Sequence, residues 1–275
     1  MTRTVLISGC SSGIGAALAR ELHGRGLRVY ATARRRETLQ PLAAAGLQVL
    51  PLDVDDDASI AAAIDALTAS GHGLDMLVNN AGFSQVGAVM DLTREDLRRQ
   101  YETNVIAPVA LTRAALPLLR ASDAGTVVNV GSIVGLFATP FAGAYCSSKA
   151  ALHSLSDAMR MELSPFGIRV VTVQPGGIRS SFGDHAESGL QLPPDSLYRP
   201  VEKGIRARAQ AGQQGATPAQ EFARHVAARL LREPPPAIIR GGKNSTRLPL
   251  LKKLLPLAAF DAMNRKIFGL DRFKP

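Results

Sequence analysis

The sequence contains only two cysteines and no tryptophan, and no apolar run in it approaches the roughly 18 residues of a membrane-spanning helix. Cys10 and Cys146 are too few to build a disulfide framework, and we expect both to remain reduced as small packing residues. No charged leader followed by an apolar stretch and a cleavage site opens the chain, so no secretory signal is predicted. These absences exclude a disulfide-stapled scaffold and favour a cytoplasmic protein.

Acidic residues are scarce in the C-terminal part of the chain. Residues 199–275 contain 16 Lys and Arg against 5 Asp and Glu, whereas residues 1–198 contain 16 against 18. The net charge of +9 therefore comes from the C-terminal part. No aromatic stacking set or nucleic-acid motif accompanies this charge, so we expect no nucleic-acid partner. The basic residues either attract an acidic ligand or anionic lipid headgroups, or form a solvated surface.

Six apolar, β-rich runs alternate with segments whose apolar residues recur at three- and four-residue intervals. This order predicts parallel strands joined by helices, and 275 residues suffice for one such domain with a single core. We expect an α/β fold over residues 1–275, a doubly wound parallel sheet of the Rossmann type with helices on both faces. Ligands of such sheets bind beyond the carboxyl ends of the strands. The candidate strands are 3–8, 28–33, 48–54, 74–80, 125–132 and 169–175.

The segment after the sixth strand is long and rich in Gly, Pro and Ser. Such a nonperiodic connection is typical of a lid or binding loop, and we place a substrate lid at residues 178–214. A helix is predicted at about 218–232 and a further strand in 234–242, before a basic C-terminal extension at 240–275. That extension mixes apolar and basic residues, so it either lies on a membrane surface or packs against the body or a second subunit.

Residues 8–15 read "SGCSSGIG", which fits two motifs. Gly9, Ser11 and Gly13 match the G-x-S-x-G nucleophile elbow of hydrolases. That elbow needs an oxyanion loop from an earlier strand, and only one strand precedes the motif here. A hydrolase is therefore not the favoured interpretation. No histidine has a spacing that marks it as a catalytic base; the five are His23, His72, His153, His185 and His225.

The second interpretation is a phosphate-binding turn between a strand and a helix that begins near Ile14. Gly9 permits a tight turn, Gly13 allows the backbone to approach a pyrophosphate, and Gly15 allows close helix packing. The amide groups at the helix start then face the anion. The spacing, G-x-x-x-G-x-G, differs from the widespread G-x-G-x-x-G fingerprint, but a dinucleotide is still the expected ligand.

The second strand ends in "ATARRR", without a carboxylate. An acidic residue at this place accepts hydrogen bonds from the adenosine ribose of NAD, whereas a guanidinium binds the 2′-phosphate of NADP. Arg34 therefore favours NADP as the cofactor. The alternative interpretation of these arginines is an ordinary basic helix start.

Tyr145 and Lys149 are four residues apart in "GAYCSSKAALHSL", which places both on one face of a predicted helix. A tyrosine with an ordinary pKa of about 10 is a poor base at neutral pH, and we expect the Lys149 ammonium to lower the pKa of Tyr145. Ser132, at the end of the fifth strand, is placed to donate a hydrogen bond to a substrate oxygen. The alternative interpretation is structural: Tyr145 is then a buried aromatic residue, Lys149 a surface lysine and Ser132 a cap at the end of the strand.

Five separated motifs together resemble the short-chain dehydrogenase/reductase family: the glycine turn, "LDV" after the third strand, "NNAG" after the fourth, Ser132 with the Tyr-x-x-x-Lys pair, and "PGGIRS" after the sixth. The resemblance spans residues 4–180. It implies a catalytic set of Asn104, Ser132, Tyr145 and Lys149, in which Asn104 holds a water in a proton relay through Lys149. The implied cofactor contacts are Gly9, Ser11, Ser12, Gly13, Ile14, Gly15, Arg34, Asp53, Val54, Asn80, Ala81, Gly82, Tyr145, Lys149, Pro175, Gly176, Ile178 and Ser180.

The resemblance implies hydride transfer between NADP(H) and a ketone, aldehyde or secondary alcohol, in a homodimer or homotetramer and without a metal ion. The "ATARR" run and the basic C-terminus are similar to 17β-hydroxysteroid and retinol dehydrogenases. Two alternatives stay open: an acyl-dihydroxyacetone-phosphate-type reductase at a membrane surface, and a non-catalytic NADP-responsive binding protein. Apolar residues in the lid and before Tyr145 predict a lipophilic substrate. They are Phe137, Pro140, Phe141, Phe182, Leu190, Leu192 and Leu197.

Overall fold

Seven parallel strands form the central sheet. The computed structural model describes residues 2–273, and the last two residues of the predicted C-terminal extension, 274–275, lie outside the described residues. The strands are β1 Thr4–Ile7, β2 Arg28–Ala33, β3 Gln48–Pro51, β4 Met76–Asn79, β5 Thr126–Val130, β6 Arg169–Pro175 and β9 Ile238–Gly241, while β7 Ile178–Arg179 and β8 Thr217–Pro218 pair separately. Each predicted strand is present; β2 and β6 have the predicted bounds, and the others are shorter than their apolar runs.

The order of strands across the sheet is β3-β2-β1-β4-β5-β6-β9. The winding direction therefore reverses between β1 and β4, and both of these strands are fully buried. A crevice opens beyond the carboxyl ends of two such strands. The predicted doubly wound sheet is confirmed, and the glycine turn after β1 lies at this reversal.

Eleven helices surround the sheet within the described part of the chain. Alternate residues of β1 show how both faces are covered: Val5 and Ile7 pack in one hydrophobic cluster and Leu6 in another. Side chains of α1 and α9 complete the first cluster, and those of α3 and α5 complete the second. The helices are α1 Gly13–Gly24, α2 Gln40–Ala43, α3 Asp57–Ala69, α4 Arg94–Tyr101, α5 Ala107–Arg120, α6 Gly143–Leu163, α7 Phe182–Ser188, α8 Glu202–Gln210, α9 Ala219–Leu230, α10 Arg247–Leu254 and α11 Leu257–Ile267.

The starts of the helices differ in how their first amide groups are satisfied. At the start of α3, the Asp56 carboxylate accepts hydrogen bonds from two backbone amides. At the start of α4, Thr93 and Asp96 form a capping box. Ser12 precedes α1 but its side chain makes no capping hydrogen bond. The amides of α1 therefore remain available to a ligand.

The predicted lid is more regular than its Gly-, Pro- and Ser-rich sequence indicates. The 178–214 segment contains β7 and the helices α7 and α8, so the expectation of a nonperiodic connection is wrong for those parts. Each helix is short, and its apolar residues pack into a small cluster with Val86 and Phe141 rather than into the main core. Ala186 and Ile205 belong to this cluster. Two short helices give too few apolar repeats for periodicity to reveal them.

The C-terminal extension forms the two helices α10 and α11, with Pro256 between them. Phe260 of α11 is 2% exposed and packs edge-to-face on Phe137, with 5.6 Å between ring centroids. The outer side is exposed, including Leu254 and Leu257. One side of the extension therefore packs against the body, while membrane contact stays a prediction. Within residues 2–273 no helix combines the length and apolar character needed to cross a membrane.

Candidate active site

The turn between β1 and α1 requires glycine. Gly9 has φ +72°, and a Cβ atom there would lie 2.8 Å from Cα of Ala81. A Cβ atom on Gly15 would meet the Gly9 carbonyl and lie 2.5 Å from Nδ2 of Asn80. Ile14, between them in the first turn of α1, packs against the hydrophobic core. The close approach of these backbones, with free amides at the helix start, is the geometry that a pyrophosphate requires.

The "NNAG" segment after β4 holds the glycine turn in place. The Ser8 hydroxyl accepts hydrogen bonds from the backbone amides of Asn80 and Ala81, both at 3.0 Å. Nδ2 of Asn80 in turn donates to the carbonyls of Ser8 and Gly9, at 2.9 and 3.0 Å. The Asn80 side chain thus supports the turn from behind, and the backbone of Ala81 lies beside Gly9.

Arg34 follows β2 at the predicted adenosine end of the crevice, and its side chain is exposed. Ser11 and Ser12 are also exposed, and the Ser12 hydroxyl lies 3.1 Å from that of Ser181 in the lid. Burial raises the pKa of Asp55, and the positive charge of Arg34 is among the groups that lower it. The sequence analysis did not place Asp55 near Arg34. A carboxylate from the end of β3 therefore shares the surroundings of this guanidinium.

The segment after β3 also lies at the predicted adenosine end of the crevice. Val54 is buried, and the backbone amide of Asp53 donates to Oγ of Ser59 at 2.9 Å. The Asp55 carboxylate accepts a 2.7 Å hydrogen bond from the Thr103 hydroxyl. Asp53 and Val54 therefore lie at the carboxyl edge of the sheet, where the adenine contacts were predicted.

The predicted reactive residues converge from β5 and α6. Tyr145 and Lys149 lie on α6, and Ser132 follows β5. Nζ of Lys149 is buried and donates to the Val130 carbonyl at 2.7 Å, which ties α6 to the end of β5. The ring of Phe182 from the lid lies 5.7 Å from the Tyr145 ring. The lid therefore covers the phenol.

The predicted lowering of the Tyr145 pKa is not found in this structure. Burial raises the pKa of Tyr145 to about 12, although a hydrogen bond with Ser132 lowers it. Burial also lowers the pKa of Lys149 to about 8. Removing either group from water disfavours its charged form, and Lys149 is not among the groups that shift the pKa of Tyr145. The expectation was wrong because it considered charge and omitted desolvation.

Asn104 lies in a π-helical turn, Glu102–Ile106, between α4 and α5. Its Nδ2 donates to the Phe83 carbonyl at 3.0 Å and to the Ser148 hydroxyl at 3.1 Å, while Oδ1 accepts from the Phe83 amide at 3.1 Å. A Cβ atom on Gly82 would lie 3.0 Å from Oδ1 of Asn104 and 3.7 Å from Nζ of Lys149. Asn104 is thus adjacent to Lys149, but both Nδ2 protons are used by protein groups. A relay water would have to bind another atom of Asn104.

The residues predicted for the nicotinamide end lie between β6 and the lid. Pro175 ends β6, Ile178 begins β7, and a Cβ atom on Gly176 would meet the backbone after β9. A Cβ atom on Gly13 would lie 3.1 Å from Cβ of Ser180. This segment therefore closes against the glycine turn.

The apolar residues predicted for the substrate separate into different places. Phe182 covers Tyr145, and Phe141 belongs to the lid cluster, where its ring lies 6.1 Å from that of Tyr198. Phe137 instead packs on α11, and Leu197 is 77% exposed. The backbone of Phe141 has φ +63°, a strained value for a bulky residue. The lid side of the site is therefore apolar. Phe137 and Leu197, which were predicted to line it, do not contribute to it. Leu190 and Leu192 also pack there, and Pro140 lies beside Phe141 in the chain.

His153 packs beside Ser132 at the end of β5, where no histidine was predicted. Its Nε2 accepts a 3.4 Å hydrogen bond from the backbone amide of Ser132, and Cβ atoms on Gly131 or Gly135 would collide with its ring. Nδ1 is buried without a partner among the described residues. Burial, aided by the Lys149 charge, lowers the pKa of His153 to about 4. Its position four residues after Lys149 was the signal that could have revealed it.

Arg208 of α8 was also missed. Its Nε donates a 2.7 Å hydrogen bond to the Thr139 hydroxyl, and its positive charge is among the groups that lower the pKa of Tyr145. No local motif signals this contact, because Thr139 and Arg208 are 69 residues apart. The lid therefore brings a cation to the reactive tyrosine.

Comparisons with known proteins agree on one family. Residues 3–190 match the short chain dehydrogenase model. The chain is 40% identical over 215 residues to short-chain dehydrogenase ptmH of Penicillium ochrochloron, covering 77% of this chain and 78% of that protein. It is 38% identical over 209 residues to the NADPH-dependent 1-acyldihydroxyacetone phosphate reductase of Schizosaccharomyces pombe, covering 73% and 69%. A solved short-chain dehydrogenase from Streptomyces avermitilis has a TM-score of 0.80 at 30% identity, covering 99% and 98% of the two chains.

Proposed function

The chain belongs to the short-chain dehydrogenase/reductase family of oxidoreductases that act on CH–OH and C=O groups, and we propose that it is an NADP(H)-dependent enzyme for a lipophilic ketone, aldehyde or secondary alcohol. The observation that carries the proposal is the convergence of Ser132, Tyr145 and Lys149 at the carboxyl edge of the sheet, beside the glycine turn. Phe182 and the lid cluster supply the apolar side.

The residues around the crevice fit a dinucleotide. The uncapped start of α1 offers amides to a pyrophosphate, the backbone of Gly9 and Gly15 approaches its neighbours too closely for any side chain, and Gly13 has φ +60°. When bound, the nicotinamide ring supplies or accepts the hydride. Asp53 and Val54 lie at the adenine end, and Pro175 to Ser180 close the other end against the glycine turn.

Tyr145 supplies the proton. Because burial raises the pKa of Tyr145 to about 12, the phenol keeps its proton at neutral pH. A carbonyl reduction needs this form, since a proton must be donated to the oxygen that becomes the alcohol. The Ser132 hydroxyl is placed to donate a hydrogen bond to the same oxygen and so to stabilise its developing charge. Lys149 fixes the spacing between α6 and β5 through its hydrogen bond to Val130.

The preference for NADP rests on Arg34. It is exposed at the end of β2, as a 2′-phosphate ligand must be, and Ser12 is exposed at the start of α1. A carboxylate at position 34 would repel that phosphate. The Schizosaccharomyces pombe relative is an NADPH-dependent reductase, which is consistent with this choice.

Arg34→Glu tests the cofactor preference. We expect NADPH to bind about tenfold more weakly or worse, because a charge-assisted hydrogen bond is replaced by repulsion, while NADH binding changes little. Titration of the purified protein with both dinucleotides measures the two affinities. Arg113→Glu, an equal charge reversal at an exposed position on α5, is the matched control. Equal losses for NADPH and NADH would exclude the 2′-phosphate role.

Tyr145→Phe tests the chemistry. We expect NADPH oxidation with an accepted ketone to fall by at least about a hundredfold, because the variant lacks the proton donor. Binding of NADPH should persist, which separates loss of chemistry from loss of the site. Tyr101→Phe, a hydroxyl deletion at the end of α4, is the matched control. Wild-type turnover by Tyr145→Phe would refute the mechanism.

A further inference from the structure

Arg208 of the lid lies close enough to Tyr145 for its charge to lower the pKa of the phenol, and its partners differ from those of Arg206, Asp184 and Glu187. Arg206, two residues earlier on α8, pairs with Glu202 at 2.7 Å. The carboxylates of Asp184 and Glu187 accept hydrogen bonds from Gln210. Arg208 has no carboxylate partner within residues 2–273, and its one side-chain hydrogen bond is donated to Thr139.

The position of Arg208 on α8 directs it toward the site. Ile205 and Ala209, three residues before and one after, are buried in the lid cluster together with Phe141. Arg208 therefore lies at the edge of the buried face, half-buried rather than extended into solvent. Its Nε hydrogen bond ends on Thr139, in the loop that joins Ser132 to Tyr145. The hydrogen bond thus fixes the guanidinium against the loop that leads to Tyr145, near enough for its charge to act on that residue.

A partly buried guanidinium without an acidic partner is free to pair with an anion from outside the chain. Nε is used by Thr139, so the two terminal nitrogens remain to donate in parallel to two oxygens of one anion. Phosphate and carboxylate both have that geometry. The neighbouring surface, formed by Phe182, Phe141 and Tyr198, is apolar.

We propose that Arg208 is a specificity-determining residue that binds the anionic group, phosphate or carboxylate, of an otherwise lipophilic carbonyl substrate. This inference rests on the proposed function and names its substrate class: an acyl or alkyl chain, a ketone at Tyr145, and an acidic group near the ketone. The site uses residues of α8 and the Ser132–Tyr145 loop, which are separate from those that contact the dinucleotide.

Binding of chain-matched probes tests the anion site without turnover. The protein is saturated with NADP+, which fills the pyrophosphate site, and titrated calorimetrically with decyl phosphate, decanoate and decanol. We expect one or both anions to bind about tenfold more tightly than decanol, as one charge-assisted pair provides. The ratio of the two anions distinguishes phosphate from carboxylate. Equal affinity for all three probes would overturn the proposal.

Variants then assign the effect to Arg208. Arg208→Met should abolish the preference for the anion, Arg208→Lys should keep part of it, and Arg206→Met, on the same helix, should keep all of it. In turnover with NADPH, Arg208→Met should lose about tenfold or more in kcat/KM on 2-oxodecyl phosphate or 2-oxodecanoate, mostly through KM, and less than threefold on 2-decanone. Equal losses in both arginine variants, or equal losses on charged and neutral ketones, would refute the assignment.

The two proposals fail in different ways. If 2-decanone is reduced normally but Arg208→Met does not discriminate between substrates, the anion site is wrong and the oxidoreductase stands. If anion binding depends on Arg208 but no ketone is reduced with NADPH, the proposed reaction is wrong and the anion site stands.

Discussion

Removal of the buried imidazole should change how the stability of the protein depends on pH. His153 is 9% exposed, and burial together with the charges of Lys149 and Arg240 outweighs the opposing charge of Asp157. The pKa of the folded state is therefore about 4, against an ordinary value of 6.5. In the unfolded chain the ring takes up a proton as the pH falls through 6.5, whereas in the folded protein it remains neutral until about 4.

The unfolded state therefore binds more protons in this window, and stability decreases as the pH is lowered from 6.5 to 4. At about 1.4 kcal/mol for each pKa unit, the loss amounts to about 3 kcal/mol. His153→Gln removes the titrating group but retains an oxygen that can accept from the Ser132 amide. The pH dependence of the variant should be shallower than that of the wild type by this amount.

Urea unfolding between pH 4 and pH 8 measures the difference. Far-UV circular dichroism is the suitable signal, because the sequence contains no tryptophan. His72→Gln, at an exposed position, is the control for loss of one histidine and should follow the wild type. Identical pH dependence of His153→Gln and the wild type would refute the reasoning, whatever the stability of the variant at neutral pH.

Three further predictions follow from packing. Gly15→Ala places a methyl group 2.5 Å from Nδ2 of Asn80 and should weaken NADPH binding by about tenfold or more. Gly24→Ala, on the same helix, is the control: its methyl group would have no neighbour within 4 Å, and NADPH binding should not change. Burial raises the pKa of Cys10 to about 12, so iodoacetamide should modify it only after unfolding; modification of the native protein, detected by mass spectrometry, contradicts this. Phe260→Ala should lower the free energy of unfolding by about 3–5 kcal/mol in urea titrations, and a loss below 1 kcal/mol would contradict the packing of α11 on the body.

The sequence predicted those features whose signals are local. The six strands are continuous apolar runs, the glycine turn is encoded within eight residues, and Tyr145 and Lys149 share a helix face. A lid was predicted at residues 178–214, but its helices and its contacts could not be predicted in this way. The hydrogen bond between Arg208 and Thr139 joins residues 69 apart, and the one between Ser12 and Ser181 joins residues 169 apart. Neither contact produces a periodic pattern in the sequence, because each depends on how the two short lid helices pack.

The sequence also could not predict the direction in which the tyrosine pKa changes. Spacing places Lys149 near Tyr145, but it does not show how much water the fold removes from both. In this structure desolvation dominates, which leaves a neutral phenol with a pKa of about 12 and a lysine whose pKa is about 8. In the proposed reduction, the folded protein therefore holds the proton on the group that would donate it to the carbonyl oxygen. The reverse reaction needs a phenolate, and the positive charges available to stabilise it are Lys149, Arg208 and the oxidised nicotinamide when bound. In the proposed reaction, burial of Tyr145 therefore suits proton donation to a carbonyl, and the proposed oxidation would draw on these added positive charges.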